Sequence, residues 1–349
     1  MKKIVSIVAG VILSVTIITV TCFAAEPSQK VYKWRAVSNE PEADTRVIYH
    51  KQFCDMVRKM SGGRLDITLY PGAALYPPFD WFKNTGKGAN EVALAYGAYL
   101  GGTNPALPWE AELPPVGITG LEEIMGYYDD LTEIIRPIYA KGNVYVIDKW
   151  PCPEEAFMSN VPINKVSDFK GLKARIGCAS LFPLFKKLGV AMTMIPMGDV
   201  YTAMKLGTLD CLESSGYHGN WQVGLHEVSK YIIEPAPHTS RTWAGSGVHA
   251  VNMDAWKSLP DDLKEILRVA ARAHALNSYY GAVKQDLIYR QKMIDYGVKV
   301  SKIPPKEYEK IVNLSWETIE EFGASSPLAA DIVKALKKNL QLYSSRIPQ

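Results

Sequence analysis

Strand-like and helix-like segments alternate from Asp168 to Glu213, and that alternation constrains the fold more than any other part of this 349-residue chain. Lys173 to Ile176 reads as a short β-run that stops at Gly177-Cys178. A helical segment comes next over Leu181 to Leu188, then a strand over Ala191 to Ile195, a helix over Met197 to Leu206, and a strand ending in Glu213. Strands separated by helices imply βαβ units and mainly parallel sheets. Arg175 sits at a strand end just before a helix start, where open α/β sheets place their ligands. Guanidinium grips a carboxylate through two parallel hydrogen bonds, which lysine cannot reproduce. Arg175 is therefore the first candidate for holding an acidic small molecule. The plainer reading is a surface arginine paired with a neighbouring acid.

The N-terminus has the form of a targeting segment. Lys2 and Lys3 precede an uncharged run from Ile4 to Thr21, and small residues stand after it at Cys22, Ala24 and Ala25. This predicts a signal peptide over residues 1–25, cleaved after Ala24 or Ala25. The run is nearly long enough to span a bilayer, so an uncleaved anchor is the alternative. The remaining chain, roughly 325 residues, is too long for one ordinary core and predicts two lobes. Of the net charge of +3, two lysines belong to the leader, so the remainder is almost balanced. That balance argues against a nucleic-acid or anionic-membrane partner. Cys54, Cys152, Cys178 and Cys211 show no metal or disulfide spacing; Cys54 and Cys211 read as buried thiols, and a Cys152–Cys178 bridge is open.

Upstream, a strand over Val31 to Ala36 precedes a helix from about Ala43 to Met60, whose apolar face is Val47, Phe53, Met56, Val57 and Met60. Arg64 to Tyr70 alternates as a strand, Pro77 to Lys87 reads as a short helix, and Glu91 to Tyr99 is strand-like. Gly101 to Pro115 is a Gly/Pro-rich loop, succeeded by a helix over Leu121 to Tyr139 and a strand over Val144 to Asp148. Lobe I is expected over 26–150, with 238–300 returning to it and spanning both lobes, and lobe II over 151–237. Ser258 is expected to cap a helix from about Pro260 to Tyr296, long enough to run across both lobes. C-terminal helices complete the chain over 301–349.

Metalloprotease, phosphate-loop, dinucleotide and nucleophile-elbow motifs are missing from the sequence. The six histidines are scattered without zinc-like pairing and read as surface or partly packed; His218 and His226 could share a helix face. An exported α/β protein with a cleft arginine and no nucleophile–base pair reads as a binder.

The segments DFKGLKARI, IPMGDVYTAMKLGTLDCLE, VNMDAWKSLPDDLKEIL and SGGRLDITLYPGAALYP, in their order along the chain, resemble the solute-binding proteins of tripartite ATP-independent periplasmic (TRAP) transporters. The resemblance covers nearly the whole chain after the leader. It implies a two-lobed periplasmic binding protein fold with hinge strands, which closes on an organic acid and delivers it to a TRAP membrane permease. The arginine that pairs with the ligand carboxylate in that family maps to Arg175. Tyr99-Leu-Gly-Gly-Thr-Asn-Pro105 looks similar to the branch that handles 2-oxo acids and other monocarboxylates. In that branch an acid followed by tryptophan ends a strand, and some members hold a metal ion through the acid. Here the acid is Glu213, but Ser214-Ser215 replaces the tryptophan, which fits a wider pocket or a more polar ligand. Glu154 or Glu155 falls where many relatives place an arginine or glutamine. Some relatives also dimerise through the long helix and the C-terminal helices.

A carboxylate at Glu155 repels a second acid, so it suits a cation, a ligand amine or hydroxyl, or pairing with Arg175. Glu155 and Glu213 with carbonyl oxygens would make an oxygen shell for calcium or sodium, although no cofactor is required. Tyr99 offers a flat wall and a donor. Further candidate contacts are Ser214, Phe182, Asn220 and Trp150, the last at the expected hinge. Two rival functions remain at this point: a sensory binding protein for a receptor kinase, and an exported hydrolase using Glu155 and Glu213 as an acid/base pair.

Overall fold

The computed structural model describes residues 30–118, 120–153, 155–239 and 245–344. The leader assigned to residues 1–25, and Glu154, lie outside them. The chain begins with β1 (Tyr32–Ser38), α1 (Thr45–Met60), β2 (Leu65–Tyr70), α2 (Trp81–Gly86), β3 (Val92–Ala95), α3 (Leu107–Ala111), α4 (Leu121–Ala140) and β4 (Val144–Cys152). It continues through β5 (Phe157–Ser159), β6 (Lys173–Arg175), α5 (Phe182–Lys187), β7 (Ala191–Thr193), α6 (Val200–Lys205), β8 (Cys211–Glu213), α7 (Tyr217–Gln222), α8 (Leu225–Val228) and β9 (Tyr231–Glu234). Last come β10 (Gly245–Asn252), α9 (Met253–Ser258), α10 (Asp261–Tyr296), β11 (Lys299–Lys302), α11 (Pro305–Gly323) and α12 (Pro327–Ser344).

Two sheets organise these elements, in the orders β2-β1-β3-β10-β4 and β11-β9-β5-β8-β6-β7. The pairs from the βα units are parallel, as expected. However, β10 runs antiparallel to both β3 and β4, and β5 to both β8 and β9. The sheets are therefore mixed. These strands come after direct passages of the chain from one sheet to the other, and a strand entering from the opposite lobe need not share its neighbours' direction.

Alternation along the second sheet explains helices on both faces. Phe157, Cys211 and Ile233 face one apolar cluster with Phe169, Leu184 and Phe185. Their neighbours Met158, Leu212 and Ile232 face another with Val200, Leu225 and Met293. A strand buried on both faces must carry apolar residues at successive positions. The first sheet packs against α1, α4 and α10 in one larger core, which α12 joins by packing on α4. Long helix α10 contributes Leu263, Leu267, Ala270 and Ala271 to that core and Met293 to the other lobe, so it spans both.

Local corrections are informative. Ser258 does not cap α10: Pro260 holds the N-cap position, and the Ser258 hydroxyl donates to the Ala255 carbonyl at the end of α9. Gly297, at φ 118°, ends α10 in a left-handed conformation natural to glycine. The expected loop from Gly101 to Pro115 contains α3. β3 stops at Ala95, and Gly97–Leu100 forms a 3₁₀ turn, so Tyr99 lies on that turn and not on a strand. On α1, Val47, Phe53 and Val57 are buried as expected, whereas Met60 is exposed and His50 and Cys54 complete the inward face. All four described cysteines are free buried thiols, and Cys178 Sγ lies 3.3 Å from the Pro108 carbonyl. None of the described helices is long and apolar enough to cross a membrane.

Candidate functional site

A cavity of about 60 Å³ lies where the two sheets face each other. Asn39, Glu40, Arg46, Tyr96 and Tyr99 line it from the first sheet's side, and Glu155, Arg175, Gly177, Met197 and Glu213 to Ser215 from the second. Ala111, Glu112, Gly245 and Ser246 close the remaining wall. The sequence that builds β6 delivers Arg175 there. Ala174 turns into the core, and the next residue must point the other way.

Arg175 is 4 % exposed and is held through Nη1 and Nε. Its Nη1 donates to the Glu213 carbonyl at 2.9 Å and to Glu213 Oε2 at 3.0 Å, while Nε donates to the Ile195 carbonyl at 3.2 Å. Gly177 N donates to the same carboxylate oxygen. The arginine's acid partner is thus Glu213 and not Glu155. A Cβ at Gly177 would stand 2.4 Å from Arg175 Nη1, so glycine is what lets the guanidinium lie over this turn.

Glu112, Glu155, Glu213 and His238 each bring a ligating atom within 4.8 Å of the others, all buried. Burial, and then the neighbouring Glu213 carboxylate, hold the Glu112 and Glu155 carboxyls well above the usual carboxylate range. His238 is wholly buried, with neither ring nitrogen hydrogen-bonded to any described residue, and burial pulls it down to about 4. Glu112 Oε1 also has no partner among the described residues. A neutral imidazole with both nitrogens unpartnered, and three clustered carboxyl groups of which Glu112 keeps an unpartnered oxygen, form a donor set suited to a hard or borderline cation.

Arg46 anchors the opposite wall. Asp44 caps α1 by accepting from Arg46 N at 2.9 Å, and its carboxylate binds the Arg46 side chain at 2.9 and 3.0 Å. Arg46 Nη1 donates to Tyr96 OH at 3.1 Å and reaches across the cleft to Glu155 Oε1 at 3.6 Å. Burial pushes the Tyr99 hydroxyl up to about 12, so it stays protonated beside the cavity.

The candidates separate clearly. Arg175, Tyr99, Glu155, Glu213 and Ser214 line the cavity, whereas Phe182, Trp150 and Asn220 do not. Phe182 packs against the apolar cluster under α5. Trp150 stands behind Tyr96, at 6.0 Å between ring centroids, with its ring edge-on to His50, His249 and His274. Asn220 supports the site from outside: its Nδ2 donates to Ser214 Oγ at 2.8 Å and to the Ser215 carbonyl at 2.7 Å. Ser214 Oγ itself donates to the Ala156 carbonyl at 2.8 Å. The serines are thereby tied to the wall, and the pocket is small, not wide as their size suggested. Sequence reasoning missed Glu40, Arg46, Tyr96, Glu112 and His238. The aspartate two residues before Arg46 at a helix start was the available signal for Arg46; nothing local marked the others. All six histidines prove buried, and His218 and His226 belong to separate helices, α7 and α8.

Two lobes of α/β sheet crossed by a long helix, with a charged cavity between them, define the periplasmic binding protein class. Residues 36–325 match the family of bacterial extracellular solute-binding proteins, family 7 (DctP), and the chain belongs to it. Members are receptors and not enzymes, which removes the hydrolase reading. A monocarboxylate 2-oxoacid-binding periplasmic protein of Nostoc is 25% identical over 83% of this chain and 79% of its own length. A TRAP transporter solute binding protein from Bordetella bronchiseptica, a dimer with calcium and picolinate in one site, superposes with a TM-score of 0.82 at 23% identity, covering 90% of this chain and 94% of that one. Another from Pseudoalteromonas atlantica, with sodium and pyruvate bound, gives 0.79 at 24% identity over 90% and 96%.

Proposed function

We propose that this chain is the solute receptor of a TRAP transporter, that it captures a small carboxylate together with a cation between its lobes, and that it hands the carboxylate to a membrane permease. One observation carries the reading: Glu112, Glu155 and Glu213 are buried around a cavity whose only adjoining guanidinium groups, among the described residues, are Arg175 and Arg46. Arg46 is already balanced by Asp44 at 2.9 Å. A bare carboxylate entering beside three others meets repulsion that a single arginine cannot offset. A cation removes that obstacle. Glu112, Glu155, Glu213 and His238 would hold it, and it would supply positive charge to a ligand oxygen.

In this reading Arg175 exchanges part of its hold on Glu213 for the ligand carboxylate. Tyr99 adds a donor from the other lobe, and Ser214 shapes the floor. The cavity of about 60 Å³ has room for roughly two waters, so the ligand is small or opens the lobes further. The calcium with picolinate of one relative and the sodium with pyruvate of another support the pairing of acid and cation. Hinge movement belongs where the chain passes between sheets, between β4 and β5, between β9 and β10, and between β10 and β11 along α10.

The test is a thermal-shift screen of chelator-treated protein against 2-oxo acids, aromatic acids, dicarboxylates and amino alcohols, each with and without calcium or sodium. A rise in melting temperature for a carboxylate only when a cation is present supports the reading. A rise for amines alone would make an ammonium group the cation, and no rise for any acid would reject the assignment.

A further inference from the structure

Behind the cleft wall, three buried imidazoles form one continuous chain: His50 of α1, His274 of α10 and His249 of β10. Its far end is the backbone carbonyl of Asp148 on β4, 3.3 Å from His249 Nδ1. A carbonyl oxygen only accepts, so His249 carries its hydrogen on Nδ1. As a neutral ring it then offers the Nε2 lone pair to His274 Nδ1, 2.9 Å away. By the same logic His274 Nε2 accepts from His50 Nδ1 at 3.1 Å. Each ring has one allowed tautomer, set by the carbonyl at the end.

The near end is where a proton must be placed. His50 Nε2 faces Glu40 Oε2 at 3.4 Å, long and off-line for a hydrogen bond, yet neither atom has another partner among the described residues. The other Glu40 oxygen accepts from the Tyr96 hydroxyl, because that hydroxyl is itself accepting from Arg46 Nη1 at 3.1 Å. Two facing lone pairs would repel, so one hydrogen lies between His50 and Glu40. Burial alone would raise Glu40, but His50, Arg46 and Tyr96 bring it down to about 2. Burial drives His249 down to about 3 and His274 well below the ordinary imidazole range, in keeping with two neutral rings. The charged and titratable groups facing the chain are Glu40, Arg46 and Tyr96 at the cleft end and Asp148 with Arg272 at the other. Phe53 and Trp150 flank the rings and contribute no charge.

We propose that His249 and His274 are positioning residues for the ligand cleft: anchored on the Asp148 carbonyl, they fix the direction of the imidazole chain, hold the His50 hydrogen on Nδ1 with Nε2 turned to Glu40, and so orient the Glu40–Tyr96–Arg46 wall that faces Glu155. The role assigned to that wall rests on the cleft being the ligand site. Neutral relays of this kind transmit orientation without placing charge in the core.

The experiment is nitrogen NMR of the whole protein, without ligand, labelled at histidine and arginine, for the native chain and for His274→Gln and His274→Leu. Glutamine keeps one donor and one acceptor, whereas leucine keeps neither. At pH 7.5 the native spectrum should show His249 and His274 protonated on Nδ1 only and a hydrogen on His50 Nδ1. The leucine variant leaves His50 Nδ1 without an acceptor, so its hydrogen should move to Nε2 and the Arg46 Nε–H resonance should shift, whereas the glutamine variant should keep both as in the native chain. A native His50 without a hydrogen on Nδ1 overturns the proposal. So does a leucine variant whose His50 and Arg46 signals are unchanged. Should the leucine variant fail to fold, the native and glutamine spectra decide alone. Because no ligand is used, failure here leaves the carboxylate reading standing, and failure of that reading leaves these spectra as they are.

Discussion

Taking Arg175 and Glu213 out of water costs several kcal/mol per ion, and the pair persists because three guanidinium hydrogen bonds and the Gly177 N–H meet its polar atoms. Removing one partner strands the other. Arg175→Met is therefore expected to destabilise the protein by about 3 kcal/mol or more at pH 7.5. Carboxylate binding should fall at least ~100-fold, about 2.7 kcal/mol. Urea unfolding with calorimetry of binding checks this, and a variant of unchanged stability would contradict it. Glu112 gives a signed pH effect. Its folded carboxyl lies above its ordinary value of 4.5, so its stabilising contribution is complete below that value and is lost as pH rises. Glu112→Gln should melt roughly 2–4 °C above the native chain at pH 8 in chelator, with the gap closing toward pH 4.5. His238 acts oppositely: its folded value near 4 means stability lost as pH falls below 6.5. The two chains are thus compared at the same pH. A lower melting temperature for the glutamine variant at pH 8 would count against a strained acid cluster.

At the scale of elements, short strands place the chemistry: β6 and β8 have three residues each, and their ends carry Arg175 and Glu213. The turn after β6 is tight enough that Gly177→Ala should push the guanidinium off Glu213 and weaken carboxylate binding about tenfold, ~1.4 kcal/mol, while the fold persists. Calorimetry of binding with circular dichroism checks it; unchanged affinity would mean the arginine shifts without consequence. These strands were legible in the sequence because β and α periods alternate through them. Helix α3 was not legible, since Gly and Pro on either side gave the segment the composition of a loop, and Glu112 was hidden with it. Arg46 and Tyr96 were hidden for another reason. Their role arises from a meeting of α1 with the turn after β3, fifty residues apart, which no local pattern encodes. The histidines misled because each seems unpaired along the chain, and the partners of His50, His249 and His274 come from three different elements.

For the whole molecule, two mixed sheets joined by direct strand passages and by α10 place acids from one lobe against Arg46 and Tyr99 of the other. A ligand favours the closed form only through contacts it makes with both lobes, and a cation held by Glu112, Glu155 and Glu213, as proposed, would increase those contacts. Linkage then requires reciprocity: if the cation strengthens carboxylate binding by some factor, the carboxylate strengthens cation binding by the same factor. The most direct test of the proposed pairing is isothermal titration of chelator-treated protein with the best carboxylate from the screen, in calcium and in its absence, and of calcium in both states of the carboxylate. The account predicts that each ligand tightens the other by the same factor, at least about tenfold, or 1.4 kcal/mol. A carboxylate that binds equally well with and without any cation would contradict it.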